Sequence, residues 1–296
     1  MAFRHILVPV FGYDADRGAL DAALVLAKKS GAHIAALHIK VDPMESVPLM
    51  VDVGVAATEL IEAVERHAET RAKAAAATFE AWRSERGLKL DKEPSLRTGV
   101  TTAYDVEEGA EDELVIKFGR LTDLVVIGRP TGEEAGDQVL SRMEDALFGA
   151  GQPVLLVPHG VDPATLEKLA SGPALISWNG SIEATRAISA AIDLLRGMSH
   201  VRVLSVKEGK KDRHPAVDLV RYLAWEGVAA SVTDAHQAAG HTGGSAAEQI
   251  LATAHAMQAG FVLMGGYSHG RLRQLMLGGV TSHMMDHADL PVLMAH

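Results

Sequence analysis

The sequence predicts an α/β protein made of two tandem doubly wound domains, each with a five-stranded parallel sheet of flavodoxin-like order. Three observations carry this. Short apolar runs alternate with helical patterns, as in Ile6–Val10, a helical stretch after it, and His33–Ile39. That order implies βαβ units and right-handed crossovers. Nearly half the chain is apolar (48%) and only 4% is aromatic, with 28 glycines, which suits close packing of small residues. The same succession of elements then occurs a second time, and self-similarity in a fixed order means two copies of one unit.

Each element has a local reason. Ile6-Leu7-Val8-Pro9-Val10 is an unbroken apolar run, the pattern of a strand buried on both faces. Phe11-Gly12-Tyr13-Asp14 supplies a turn. Leu20, Ala23, Leu24 and Ala27 keep helical spacing until Gly31 stops them. A long helix is expected from about Ala56 to Arg86, with an alanine-rich middle of high helix propensity. It is long for one compact domain, so a break or packing against a second domain is expected. Leu88–Leu96 offers a short strand, Glu107–Arg120 a helix, and Asp123–Gly128 and Pro153–Pro158 the last two strands of the first half.

The second half answers element by element. Ala174–Trp178 matches the first strand, Asn179-Gly180-Ser181 the first turn, Val201–Val206 the second strand, and Ala224-Trp225 the pair Ala81-Trp82. Val262–Gly265 matches Val125–Gly128, and Pro291–Met294 matches Pro153–Leu156. The offset falls from 168 at Gly12/Gly180 to 137 at Gly128/Gly265, so the first half holds about 31 extra residues, where the long helix lies. The expected boundaries are a first domain at 1–160 with a helical insertion at about 45–87, a linker at 161–172 with room for a short helical turn, and a second domain at 173–296. A strand as apolar as Val292-Leu293-Met294 must be covered if it lies at an edge.

Composition narrows the function. There is no cysteine, hence no disulfide or thiolate chemistry. A formal net charge of -10 argues against general nucleic-acid or anionic-membrane binding. Met1–His5 leads straight into the first apolar run without a leader pattern, and no apolar run approaches a membrane span. The expectation is a cytoplasmic protein.

The stretch with most chemical content is Phe261–Thr281. A buried strand is followed by a glycine turn, a loop carrying Arg271 and Arg273, and Gly278-Gly279-Val280-Thr281 at the start of a helix. Glycines allow close backbone approach. The free N–H groups of a helix N-terminus suit phosphate. Open α/β sheets bind ligands beyond such strand ends. Gly265, two residues, Ser268, nine residues, then Gly278-Gly279 resembles the pattern of the universal stress protein family, and with the tandem plan and Val8-Pro9-Val10 the resemblance covers nearly the whole chain. Ser268 stands where that family has glycine, and Gly279 where it has a hydroxyl.

The resemblance implies a regulatory protein of the stress response binding ATP or another adenine nucleotide, with Mg2+ as a companion, in its second half. The implied contacts are Gly265, Ser268, Gly278, Gly279, Val280 and Thr281 toward phosphate, with Arg271 offsetting its charge, and Asn179, Gly180 and Val206 on the base and ribose side. The first half reads as a degenerate copy. It has Phe11 for the family's aspartate, Gly128-Arg129-Pro130-Thr131 for the glycine turn, and acids at Glu133, Glu134 and Asp137. The family implies pairing of the two domains, a homodimer, and an unidentified protein partner, with at most slow ATP hydrolysis. Two other readings stay open. One is an interaction scaffold with both sites inactive. The other is an esterase built on Gly266-Tyr267-Ser268-His269-Gly270, a G-x-S-x-G pentapeptide, with Asp286, His287, Asp289 and His296 as its nearby partners. His283 and His287, four apart on one helix face, suit a metal, but no further ligands are evident nearby.

Overall fold

The structure is a computed structural model and describes residues 3–41, 55–93, 99–205, 215–233, 244–267 and 279–296. In chain order its elements are β1 (His5–Pro9), α1 (Asp16–Ser30), β2 (His33–Lys40), α2 (Val55–Glu85), β3 (Lys89–Leu90), β4 (Thr101–Glu108), α3 (Glu111–Gly119), β5 (Leu124–Arg129), α4 (Glu133–Gly149) and β6 (Val154–Pro158). Then come α5 (Pro163–Ser171), β7 (Pro173–Trp178), α6 (Ile182–Arg196), β8 (His200–Ser205), α7 (Ala216–Trp225), β9 (Ala230–Thr233), α8 (Ala246–Ala256), β10 (Phe261–Gly265), α9 (Gly279–His287) and β11 (Val292–Ala295).

All eleven strands form one sheet, ordered β3-β4-β2-β1-β5-β6-β11-β10-β7-β8-β9. The expected doubly wound class and tandem plan are present, with five principal strands per half and the two-residue β3 added at the edge of the first. Within each half the five strands lie in the order 3-2-1-4-5. The flavodoxin-type order differs from this only in where the third strand lies. Pairing is parallel throughout except at the junction of the halves, where β11 meets β6 antiparallel. There Leu293 pairs with Leu155, Val292 with Leu156 and Met294 with Val154. The repeat itself equates Val154-Leu155-Leu156 with Val292-Leu293-Met294, so the junction is self-complementary about Leu155 and Leu293. The apolar final strand is covered by its own counterpart.

The elements form for the anticipated reasons, with three exceptions. Ile6, Val8, Leu124, Val126, Phe261 and Leu263 are all fully buried, as strands covered by helices on both faces require. α2 runs unbroken for 31 residues and lies on the sheet of its own half, with Ala68, Arg71, Ala75, Phe79 and Trp82 buried at helical spacing. The third strand of the first half is β4, which sequence reading missed in favour of Leu88–Leu96. β4 is buried only at Thr101, Thr102 and Ala103 and exposed at Val106 and Glu108, and its sequence TTAYDVEE holds no apolar run to mark it. Its last residues, Glu107 and Glu108, were assigned to the following helix, which begins at Glu111. The matched pair Trp82 and Trp225 also diverges: Trp82 is fully buried, whereas Trp225 is 86% exposed. Residues 163–171, read as linker, form the nine-residue helix α5, with Pro163 in its first turn.

Candidate functional site

In each half the crossovers diverge from the first strand, so a crevice opens at the carboxyl ends of the first and fourth strands. The two crevices are built differently.

In the first half the turn after β1 closes on itself. The backbone N–H groups of Phe11, Gly12 and Tyr13 donate to the Asp16 carboxylate at 3.1, 2.7 and 3.1 Å. Burial pushes the Asp16 carboxyl up to about 6 against the opposing pull of those N–H groups and of Arg71. α2 lies over this turn and sends Arg71 into it. Arg71 Nε donates to the Phe11 carbonyl at 2.7 Å, Nη2 to Glu111 Oε1 at 2.7 Å, and the guanidinium lies 4.9 Å from the centre of the Tyr13 ring. Arg142 holds the other Glu111 oxygen at 3.2 Å. Gly12 has φ +83, and a Cβ there would meet the Arg71 carbonyl at 2.5 Å. Backbone, cation and ring thus pack together over the turn after β1. Sequence reading ranked this half as inactive from Phe11 and the lost glycines. It missed Arg71, whose signal was an arginine at a core position of an alanine-rich face.

In the second half β7 and β10 run side by side with Ser177 level with Met264. The turn after β7 has Gly180 at φ +72, and the Asn179 side-chain oxygen Oδ1 accepts from the Ser181 N–H at 3.1 Å. Ser181 then caps α6 by accepting from the Ala184 N–H at 3.1 Å. Asn179 therefore lies at the crevice, with its oxygen bound into the turn. Gly265 ends β10 beside it. A Cβ on Gly265 would meet the Ala184 nitrogen at 2.5 Å, so this glycine lets the strand end touch the start of α6. Gly128 touches Ala15 in the same way in the first half, so packing alone accounts for the glycine that both copies share.

The far wall is the N-terminus of α9. Gly279 is exposed, and among the described residues nothing lies within 4 Å of a Cβ built on it. Val280 is partly buried and Thr281 buried. The Thr281 hydroxyl oxygen accepts from the Tyr267 N–H at 3.2 Å. An oxygen used as acceptor keeps its own proton to donate. The structure thus brings Asn179, Gly180, Gly265, Gly279, Val280 and Thr281 to one end of the second-half sheet, with two helix N-termini, α6 and α9, beside it. The positive ends of both helices fit a polyanion there. Val206, Ser268, Arg271 and Gly278 lie outside the described residues, as does Arg273.

Two residues at this end were missed. Tyr267, at φ +53, directs its hydroxyl to Glu144 of α4, and its ring centre lies 5.1 Å from that of Phe148. Arg129, where the repeat has Gly266, donates to the Met285 and Ala288 carbonyls at 2.6 Å each, closing the C-terminal end of α9. Both contacts cross between the halves, which short-range sequence patterns do not report.

The remaining candidates have other partners. Asp286 accepts from Ser282 at 3.2 Å, His287 Nδ1 lies 3.2 Å from the His283 carbonyl, Asp289 pairs with His255 at 2.7 Å, and His296 Nδ1 lies 3.1 Å from the Gly266 carbonyl. The His283 and His287 rings stack at 4.4 Å. Among the described residues no group of three His, Cys, Asp or Glu is arranged to hold a metal, and no helix is long and apolar enough to cross a membrane.

Comparison with known proteins agrees with this fold. Residues 175–296 match the profile of the Universal stress protein family. No curated protein matches the chain. In fold, the chain is similar to a universal stress protein from Archaeoglobus fulgidus DSM 4304, with a TM-score of 0.66 and 17% identity over 99% of this chain and 96% of that one. It is also similar to a putative universal stress protein from Pseudomonas aeruginosa UCBPP-PA14, with a TM-score of 0.53 and 15% identity over 99% of this chain and 92% of that one. Residues 175–296 are therefore a universal stress protein domain, and the chain as a whole has the tandem two-domain fold of that family.

Proposed function

We propose that the second half binds an adenine nucleotide, ATP with Mg2+ as the first choice, in the crevice between β7 and β10, and that the protein is a regulatory module of the stress response. One observation carries the choice of half. Arg71 fills the first crevice, whereas Gly279 at the mouth of the second has no described neighbour within 4 Å of a Cβ. The family match over residues 175–296 supports an adenine nucleotide as the ligand class. On this reading the N–H groups at Gly279, Val280 and Thr281 face phosphate, with Gly278, Ser268 and Arg271 adjoining in the chain. Asn179, Gly180 and Val206 lie toward the base and ribose, and Gly265 acts through its backbone. The same reading has the protein in the cytoplasm as a homodimer, for which β3 and β9 are the remaining sheet edges.

The test is to denature the freshly purified protein, identify released small molecules by mass spectrometry, and titrate ATP into the emptied protein with and without Mg2+. Near-stoichiometric nucleotide, or binding that Gly279→Asp abolishes, supports the assignment. Binding that survives Gly279→Asp removes the site from this crevice. A protein that releases none and takes up none is an interaction scaffold, a reading favoured by the use of the Asn179 oxygen within its own turn. Light scattering on a sizing column decides the oligomer.

A further inference from the structure

Tyr267 holds a backbone conformation that side chains other than Asn and Asp seldom adopt, at φ +53. Surroundings on every side enforce it. Its N–H donates to Thr281 Oγ1 on α9, its hydroxyl donates to Glu144 on α4 and lies 3.5 Å from Met285 Sδ, and its ring packs on Phe148 of α4. His296 meets Phe148 edge-on with ring centres 4.6 Å apart. Burial, then the hydrogen bond to Glu144, raises the Tyr267 phenol well above its ordinary value, so it stays a protonated donor. At the other end of α9, Arg129 of the first half holds two carbonyls. Both ends of the helix that forms the far wall of the second crevice are thus tied to the first half.

We propose that the first half, besides being closed to ligand, positions the second crevice. Tyr267 is the positioning residue, and the Glu144–Tyr267–Thr281 chain sets the placement of the α9 N-terminus. Where the crevice binds nucleotide, as the preceding reading holds, occupancy and contact between the halves become linked, each strengthening the other.

The test has two arms on the full-length protein. In the first, without ligand, amide hydrogen exchange is followed over residues 283–287 in wild type, Tyr267→Phe and Glu144→Gln. Tyr267→Phe keeps the ring and removes only the hydroxyl. It is expected to speed exchange there about three- to tenfold, with α7 and the thermal midpoint unchanged. Glu144→Gln, which retains an acceptor oxygen, is expected to stay near wild type. Unchanged exchange over 283–287 in Tyr267→Phe overturns the proposal, and so does a uniform rise across all peptides, which would mark general loosening. In the second arm MgATP is titrated. Several-fold weaker binding by Tyr267→Phe supports the link, and equal binding overturns it. A wild-type protein that binds no ATP sinks the nucleotide reading alone, and the exchange arm still decides the positioning role.

Discussion

Arg71 and Glu111 form an ion pair of 2.7 Å in which both side chains are nearly removed from solvent, at 9% and 6% exposure. Two buried charges cost much to desolvate, and breaking one partner leaves the other uncompensated. Arg71→Met is therefore expected to lower stability by about 3 kcal/mol, since Arg142 remains beside Glu111. Urea unfolding followed by far-ultraviolet dichroism measures this. Adding Glu111→Leu is expected to recover much of the loss, and a double variant no better than the single one would show that the cation itself holds the turn.

Asp16 gives a pH dependence of known sign. Its folded carboxyl is raised by burial from 3.8 to about 6, so the folded state binds the proton more tightly than the unfolded chain. Its contribution is fully present below 3.8 and is lost as pH rises through about 6. The stability of wild type relative to Asp16→Asn should therefore fall between pH 4 and pH 7, by about 1–3 kcal/mol. Urea midpoints of both proteins across that range check it. A difference that grows with pH would mean that the three backbone N–H groups outweigh burial.

The two crevices also predict opposite outcomes for one kind of substitution. Gly12→Ala forces a side chain into a left-handed φ and against the Arg71 carbonyl, and is expected to cost about 2 kcal/mol or more. Gly279→Ala adds a Cβ that meets no described residue within 4 Å at a helix start and is expected to change stability by less than about 1 kcal/mol. Thermal melts of the two variants make the comparison. Equal costs would refute the contrast between a filled and an open crevice.

Trp82 and Trp225 form a second contrast. Trp82 is fully buried and donates to Asp21 at 2.9 Å. Trp82→Phe is expected to cost about 1–3 kcal/mol for the lost hydrogen bond and the lost volume, Asp21 keeping Arg86 as a partner. Trp225→Phe is expected to stay within about 0.5 kcal/mol. Fluorescence separates them too: quenching by iodide should fall sharply on loss of Trp225 and hardly on loss of Trp82.

That pair also marks how far the sequence was legible. Apolar runs at Ile6–Val10 and Phe261–Met264 announce buried strands because parallel strands are covered on both faces. The repeat then transfers each reading to the other half. Position in a repeat does not carry environment, however: Ala81-Trp82 and Ala224-Trp225 align, yet only one tryptophan is inside. β4 escaped because a strand that leaves its cover after Ala103 has no apolar run to show. At the site, Gly180 and Gly279 stood out for their place in the motif. Tyr267, Arg129 and Arg71 did not, since their partners Glu144, Ala288 and Phe11 lie far away in the chain. The Ser245–Glu248 capping box, by contrast, is local: a serine followed three residues later by glutamate announces a helix start, and both of its bonds are present.

The antiparallel meeting of β6 and β11 has a genetic consequence. Two identical subunits joined along this seam would share one gene, so every substitution would appear in both pockets at once. Carrying both subunits on one polypeptide frees each copy to diverge alone. An arginine can then enter one pocket while its counterpart keeps small residues such as Gly180 and Gly279, and the altered copy can specialise as the brace against which the other is held.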